Sequence, residues 1–473
     1  MKLLHTLIFT LFLLAAQTAT AQYLHQVEHI QNVSKQNLES QLQYPVLNGV
    51  QFYKMTYHTT GSDGMPDIAS GLIVLPGNNA SEHSLVVYHH GTSNAPHFVP
   101  SSLNLDYEAY ALFGGYGYAV LAPDYLGMGE SRGFHPYVHR ETQASASVDM
   151  IRAFREWADE GNTAVNENLF LTGYSQGGHA SMSTHWKMEA DLQGEFEVTA
   201  ASHLSGPYSI SGVMRDLMFS EQNYDFPGFV PFIILGYQEV YGNVYNELTD
   251  IFRPDFVPAI EAFYNGDATL TGMTILLVLT MQQKFGNRHP VNLFNPALVT
   301  AMQENDNHPV NILLLENDTY DWAPQAPTRI FYCTADNMVP WQNSFIADSV
   351  MQVNGAVDLQ TIDVNSAFNH QECAEPAILA TLDFFNSFQE TSVADISLTP
   401  DVQIFPNPGS GIVQITGLDE YQSYQLQILD LSGRLLTESH SSPFVNLEKL
   451  PAGIYLLRIS GKDFQLTRKI IRQ

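Results

Sequence analysis

Basic residues are scarce in this chain of 473 residues: 20 Lys and Arg stand against 49 Asp and Glu, a formal net charge of −29. Such a surface has little to neutralise phosphates with, which excludes nucleic acid as a partner and disfavours anionic membranes. Cysteine is rarer still. The only two are Cys333 and Cys373, and neither stands in a CxxC or histidine-rich pattern, so no metal site is expected. A glycine-rich nucleotide fingerprint and internal repeats are also missing, and no cofactor is implied. Long apolar runs are absent with one exception at the start. Residues 1–21 carry a lone Lys2, an apolar stretch from Leu3 to Ala16, and Ala19-Thr20-Ala21 before Gln22, the layout of a cleavable secretory signal. The next most apolar run, Thr274 to Met281, is far too short to span a bilayer. The mature protein is expected to be exported and soluble.

What is present is organised around Leu169 to Ala180, LFLTGYSQGGHA. Leu169 to Thr172 reads as the end of a buried strand, and Gly178 to Met188 as a helix. Between them Gly173-Tyr174-Ser175-Gln176-Gly177 fits G-x-S-x-G. A sharp strand-to-helix turn of this kind holds a serine exposed and strained, with glycines making room for the crowded backbone. Ser175 is thus a candidate nucleophile. The other reading is a glycine-rich turn carrying an incidental serine.

Upstream, Gln22 to Leu47 reads as a helical leader. Strand patterns follow at Gln51–Thr59, Ile68–Leu75 and Ser84–His89. Tyr88-His89-His90-Gly91-Thr92 ends the last of these in a loop. In the fold that places a serine on such a turn, this loop supplies one backbone N–H to an oxyanion hole and the residue after the nucleophile supplies the other. The expected donors are Thr92 (or its neighbour Gly91) and Gln176. Helical patterns at Ala109–Phe113 and Thr142–Trp157 alternate with a strand at Tyr118–Ala122, which predicts a mostly parallel sheet covered by helices. Asp124, in the loop after that strand, is read as tying down its own loop.

After a strand at Val198–Leu204 the alternation stops. Residues 206–327, rich in Tyr, Phe, Pro and Asn, read as a cap with helices around Ile251–Phe263 and Met273–Lys284. Phe226, Phe229, Phe232, Tyr237, Tyr241 and Tyr245 either line a pocket or form the cap's own core. Arg329–Cys333 resumes the strands and runs into Asp336, where a triad acid belongs. His370 follows a last strand, Leu359–Val364, in a loop before a helix at Pro376–Phe388, so the order Ser…Asp…His holds. Cys333 lies three residues before Asp336, and Cys373 three after His370. If acid and base meet, the two sulfurs are neighbours, and a bridge closing about 40 residues is worth roughly 2–4 kcal/mol. Two buried free thiols are the alternative.

Residues 391–400 are polar and without periodicity, a linker between residues 22–390 and 401–473. The last segment shows seven short strand patterns at sandwich spacing.

Two resemblances emerge from these motifs. HHGT at His89–Thr92, APDYLGMGES at Ala122–Ser131, GYSQGG at Gly173–Gly178, TADNMVP at Thr334–Pro340 and NHQEC at Asn369–Cys373 make residues 50–390 resemble an α/β-hydrolase of the secretory lipase/esterase group. The resemblance implies hydrolysis of a small-molecule or lipid carboxylic ester by Ser175, His370 and Asp336. IFPNP at Ile404–Pro408, LDLSGR at Leu429–Arg434, PAGIYLLRI at Pro451–Ile459 and the terminal KII at Lys469–Ile471 resemble the C-terminal sorting domain of type IX secretion cargo. That implies recognition by outer-membrane secretion machinery after passage through the periplasm, and no catalytic role. Two rival functions share these features: a secreted peptidase using the same three side chains, with Glu239, Glu247 or Glu261 as an amine anchor, and a non-catalytic surface-binding protein of the same shape.

Overall fold

The computed structural model describes residues 22–78, 82–389, 402–418, 424–430, 435–440, 442–461 and 465–473. The expected signal segment 1–21 and the linker 391–400 lie outside the described residues. The chain divides into two compact units, one ending at Gln389 and the other beginning at Glu390.

The first unit is built on a nine-stranded sheet. In chain order its strands are β1 (Leu24–Val33), β2 (Val50–Thr60), β3 (Pro66–Pro76), β4 (His83–His89), β5 (Ala119–Pro123), β6 (Val165–Tyr174), β7 (Ala200–Leu204), β8 (Thr328–Tyr332) and β9 (Leu359–Asp363). Their spatial order is β1-β2-β3-β5-β4-β6-β7-β8-β9. The pairs from β1 to β5 through β2 and β3 are antiparallel, and all pairs from β5 onward are parallel. Every residue of β4 and β5 is buried, as strands covered on both faces require.

Side-chain alternation sorts the strand residues between two cores. Leu85, Val87, Leu121, Leu169 and Leu171 pack with α3 (Arg140–Trp157) and Met188 of α4 (Gln176–Ala190). Their neighbours Val86, Tyr88, Val120 and Phe170 point the other way, toward α1 (Lys35–Leu42), α2 (Tyr107–Gly115) and the helix His370–Asn386. Each fully buried aliphatic or aromatic side chain contributes about 1.5–3 kcal/mol relative to exposure. The sheet is thus the rigid base from whose carboxyl edge the loops rise.

The segment read as a helical leader is the edge strand β1 followed by α1. Leu24, Val27, Ile30 and Val33 recur every third residue, which mimics a helix. Register shifts at Leu24/Gln26 and His29/Gln31 reset the two-residue phase and absorb that spacing in a strand. The Glu156 carboxylate of α3 accepts from the Tyr23 and Leu24 N–H groups and anchors the start of the strand.

Between β7 and β8 lies a helical cap. Its principal helices are Phe229–Tyr241, Val257–Tyr264 and Leu270–Phe285. Ile251–Phe263 is not one helix: it breaks after Ile251, and the second helix starts only at Val257, past Pro254. Phe232, Phe252, Phe256, Phe263, Met273, Leu277 and Met281 form the cap's core, which Tyr137, Val138 and Val339 join from outside it.

The second unit is all β. Among its described residues, strands Gln403–Phe405, Ile412–Thr416 and Phe444–Asn446 make one antiparallel sheet. Tyr424–Leu429, Leu435–His440, Gly453–Gly461 and Gln465–Arg472 make another. Val413, Ile415, Leu426, Ile428, Leu457, Ile459 and Ile470 form their shared core.

The first unit buries several hydrogen-bonded histidines. His89 bonds the Thr172 carbonyl at 3.0 Å, and its other nitrogen meets Ser147 and Thr184 hydroxyls at 3.1 Å. His203 bonds Ser181 at 2.7 Å and His185 at 3.3 Å, and His185 in turn meets the Glu189 carboxylate. Burial pulls His89 and His139 down to about 4 and His135 and His179 to about 3, and His203 also falls well below its usual range. Below about pH 6.5 the unfolded chain takes up protons that these folded histidines refuse. Stability therefore falls with pH from 6.5 toward 4, by up to about 1.4 kcal/mol per pH unit for each group. The buried carboxyls of Asp124, Asp149 and Asp318, shifted upward by burial, oppose this but are fewer. Urea midpoints measured at pH 7.5 and pH 5.0 are expected to drop sharply at the lower pH, and equal midpoints would contradict the burial of neutral imidazoles.

Candidate active site

The strand β6 ends at Tyr174, α4 begins at Gln176, and Ser175 sits between them at φ 61°, ψ −120°. A serine pays a strain of about 1–3 kcal/mol for such a backbone and persists only where its surroundings hold it. Here they do. The Ser175 N–H donates to the Leu204 carbonyl of β7 at 2.9 Å, and its carbonyl accepts from Gly178 N–H at 2.9 Å. A Cβ at Gly173 or Gly177 would collide with the His89 carbonyl oxygen, which explains the two glycines of the pentapeptide.

Asp336 lies in the turn after β8. Its Oδ1 accepts from the N–H groups of Met338 and Val339, both at 2.9 Å, and fixes the carboxylate. The other oxygen meets His370 Nδ1 at 2.6 Å, and His370 Nε2 lies 2.8 Å from Ser175 Oγ. The His370 and Asp336 side chains are only 7% and 2% exposed, so water competes little for their contact. The three polar groups expected to meet are thus joined in one run of hydrogen bonds.

His370 does not sit in a loop. It is the first residue of the helix His370–Asn386, capped by Asn369, whose side chain accepts from Gln371 and Glu372 N–H while Glu372 accepts from Asn369 N–H. Pro376 lies inside that helix rather than at its start. The Asn369…Glu372 pattern is the capping signal that marks the true beginning. The Tyr174 hydroxyl donates to the His370 carbonyl, and Asn337 Oδ1 accepts from its N–H at 3.3 Å. Cys333 and Cys373 form a disulfide with a Cα–Cα distance of 6.0 Å, tying the strand before Asp336 to the helix that carries His370.

Of the backbone donors, the N–H groups of Thr92 and Gln176 have no protein acceptor among the described residues, whereas Gly91 N–H donates to Asp106 Oδ2 at 2.7 Å. Gly91 is therefore set aside as an oxyanion donor, because its N–H already has an anionic partner. The Thr92 hydroxyl bonds the Tyr137 hydroxyl at 2.9 Å, and the Gln176 amide bonds His135 at 2.7 Å, so both residues are held by their side chains.

Neighbouring polar groups are engaged elsewhere. Asp124 is fully buried, but its carboxylate receives Ser70 Oγ at 2.6 Å and Ser101 N–H at 3.0 Å, two segments distant in the chain rather than its own loop. His90 bonds the Gly91 and Asp124 carbonyls, and His179 bonds Gln143 and the Asn317 carbonyl, so neither is directed at Ser175.

A cleft of about 590 Å³ opens over Ser175 and His370, with an apolar wall from Phe226, Phe229, Leu270, Ile275 and Met338. Phe232 and Tyr237 belong instead to the buried core of the cap. Asp106 and Asp225 also reach the cleft; Asp225 is paired with Arg288 at 2.6 Å. Asp106 went unnoticed in sequence reading, since it stands at the start of α2 without capping it and bonds Tyr88 and Gly91 instead.

A serine on a sharp turn after the sixth strand of a mostly parallel sheet, with an aspartate and a histidine following later strands and a cap above, is the layout of the α/β-hydrolase class. A model of the secretory lipase family matches residues 103–382, more than half of the 473-residue chain, and the chain belongs to that family. A second model, the secretion system C-terminal sorting domain, matches residues 403–473, and the two matches mark a secreted or cell-surface protein. No curated protein matches the chain. Among solved structures, a candidate hydrolase from Legionella pneumophila is 25% identical with a TM-score of 0.71, covering 79% of this chain and 100% of its own. The rice cell wall degrading esterase LipA from Xanthomonas oryzae is 26% identical with a TM-score of 0.67, covering 76% of this chain and 95% of its own. Candida antarctica lipase A shares the fold at 16% identity and a TM-score of 0.55, over 76% of this chain and 82% of its own.

Replacing Asp106 by alanine strands the Gly91 N–H and the buried Tyr88 hydroxyl. It is expected to cost about 1–3 kcal/mol, read as a lowered urea midpoint, with Asp106→Asn recovering most of the loss. An unchanged midpoint in Asp106→Ala would show that the carboxylate does not hold the loop.

Proposed function

We propose that the protein is an exported serine hydrolase that cleaves carboxylic esters through an acyl-enzyme. The observation that carries this reading is the unbroken run Ser175 Oγ–His370–Asp336, at 2.8 and 2.6 Å, beneath a cleft with an apolar wall. His370 Nε2 takes the Ser175 proton as the oxygen attacks the ester carbonyl. The oxyanion of the tetrahedral intermediate is received by the N–H groups of Thr92 and Gln176. His370 returns the proton to the departing alcohol, and the acyl group remains on Ser175. Water, deprotonated by the same imidazole, then releases the acid. Asp336 stays ionised throughout, holding the Nδ1–H tautomer and stabilising the imidazolium.

Ester cleavage is favoured over aminopeptidase action by the cleft's carboxylates. An amine anchor needs an unengaged acid, but Asp106 holds Gly91 and Tyr88, and Asp225 holds Arg288. Glu239, Glu247 and Glu261 are not among the residues lining the Ser175 cleft. Membership in the lipase family and likeness to an esterase that degrades rice cell walls agree with an ester substrate. Export follows from the sorting domain: residues 1–21 direct the chain to the periplasm, and residues 403–473 present it to the outer-membrane secretion machinery.

Ser175→Ala is expected to reduce hydrolysis of nitrophenyl esters of every chain length by about 10⁴-fold or more, with the fold intact by circular dichroism. Comparable turnover by the variant would refute the proposal. Side-by-side assays on aminoacyl amides test the peptidase reading, which predicts amide cleavage that is lost when the substrate's free amine is blocked, whereas the esterase reading predicts no appreciable amide cleavage.

A further inference from the structure

The Leu270–Phe285 helix forms one wall of the cleft through Leu270, Thr271, Thr274 and Ile275. Its first-turn N–H groups lack partners inside the helix, as at any helix start. Thr269 satisfies one, accepting from Gly272 N–H at 3.1 Å. The next two are satisfied from outside the cap by a single residue, Asn94. Its backbone carbonyl accepts from Leu270 N–H at 3.1 Å, and its side-chain Oδ1 accepts from Thr271 N–H at 2.8 Å.

Asn94 lies two residues beyond Thr92. Between them Ser93 is locked, its hydroxyl donating to the carbonyls of Ala95 and Phe98 at 2.8 and 2.7 Å. Thr92 itself bonds Tyr137, whose ring stacks on Phe232 of another cap helix with centroids 4.3 Å apart and planes 6° from parallel. The short loop that carries Thr92 thus reaches the cap twice, directly through Asn94 and indirectly through Tyr137. Both points involve helices that also line the cleft, one through Phe229 and the other through Leu270 and Ile275, but only Asn94 hydrogen-bonds its helix directly from the loop.

We propose that Asn94 is a positioning residue that couples this wall of the cleft to the oxyanion donor at Thr92. The inference rests on the reading of Thr92 N–H as that donor. An acyl chain lying along Leu270 and Ile275 presses on the helix whose start Asn94 holds, and the same residue fixes the loop that aims the Thr92 N–H. Wall and donor therefore keep one relative geometry. Small misplacements of such a donor are costly, because transition-state stabilisation depends on the oxyanion distance.

The test measures kcat and KM separately for nitrophenyl acetate, whose acyl group is too short to use the wall, and for a long-chain ester, in Asn94→Ala and Asn94→Asp. Asn94→Ala removes the Oδ1 acceptor. It is expected to lower kcat on the acetate about tenfold with little change in KM, while KM for the long-chain ester rises as the helix start loosens. Asn94→Asp keeps an acceptor at the same place, with a charge that suits a helix N-terminus, and is expected to restore acetate kcat to within about threefold. If Asn94→Ala does not fold, Asn94→Ser, too short to reach Thr271, carries the same expectation. An acetate kcat within twofold of the parent in Asn94→Ala would reduce Asn94 to a helix cap and overturn the proposal. Equal damage in Asn94→Ala and Asn94→Asp would overturn it too. Ser175→Ala assayed alongside separates the two levels: an active Ser175→Ala defeats the reading of the site, whereas an inactive one with an unaffected Asn94→Ala defeats only the coupling.

Discussion

The imidazole of His370 has to stand between a hydroxyl and a carboxylate that come from distant parts of the chain, and most of the first unit's construction bears on that placement. Ser175 is fixed by a strained backbone wedged between β4 and β7, where only glycine fits on either side. Asp336 is fixed by two backbone N–H groups that hold one of its oxygens and leave the other for His370. His370 is fixed by a capping box, by Tyr174 bonding its carbonyl, and by a disulfide one helical turn further on. Each restraint is modest, in the range of about 0.5–2 kcal/mol for a helix cap and roughly 2–4 kcal/mol for a disulfide. Together they remove freedom from the three groups before any substrate arrives, which is where positioned groups gain their effect.

The sheet supplies rigidity, and the segments that follow its strands at the carboxyl edge carry Ser175, Asp336 and His370. Buried strands such as β4 cannot shift without opening two cores at once, since alternate residues pack on opposite faces. The cap contributes differently. Its core continues into Tyr137, Val138 and Val339, and it lines the cleft through residues that include Phe226, Phe229, Leu270 and Ile275. The C-terminal β unit is matched over residues 403–473 by the secretion system C-terminal sorting domain.

Much of this was legible in the residues because the signals are local. The pentapeptide around Ser175 announces itself through glycine spacing, and buried strands through apolar runs. The order of Ser175, Asp336 and His370 limits where acid and base can come from. The sandwich strands after residue 402 show as short runs between turns. Other features rest on contacts that leave no local trace. Asp106 meets Gly91 15 residues away, and Asn94 meets Thr271 177 residues away, with no periodicity to reveal either. β1 was hidden because two bulges let a three-residue apolar spacing lie in a strand. The start of the His370 helix was hidden because Pro376 imitates a first-turn proline, while the capping pair Asn369 and Glu372 stood seven and four residues earlier in plain view.

The central claim is that Ser175 is the activated nucleophile. Incubation with a fluorophosphonate, followed by mass spectrometry of the proteolysed protein, tests it most directly. The account predicts one stoichiometric adduct on the peptide containing Ser175, formed far more slowly when His370 is replaced by alanine. No adduct at Ser175, or labelling at another serine that is indifferent to His370, would contradict it.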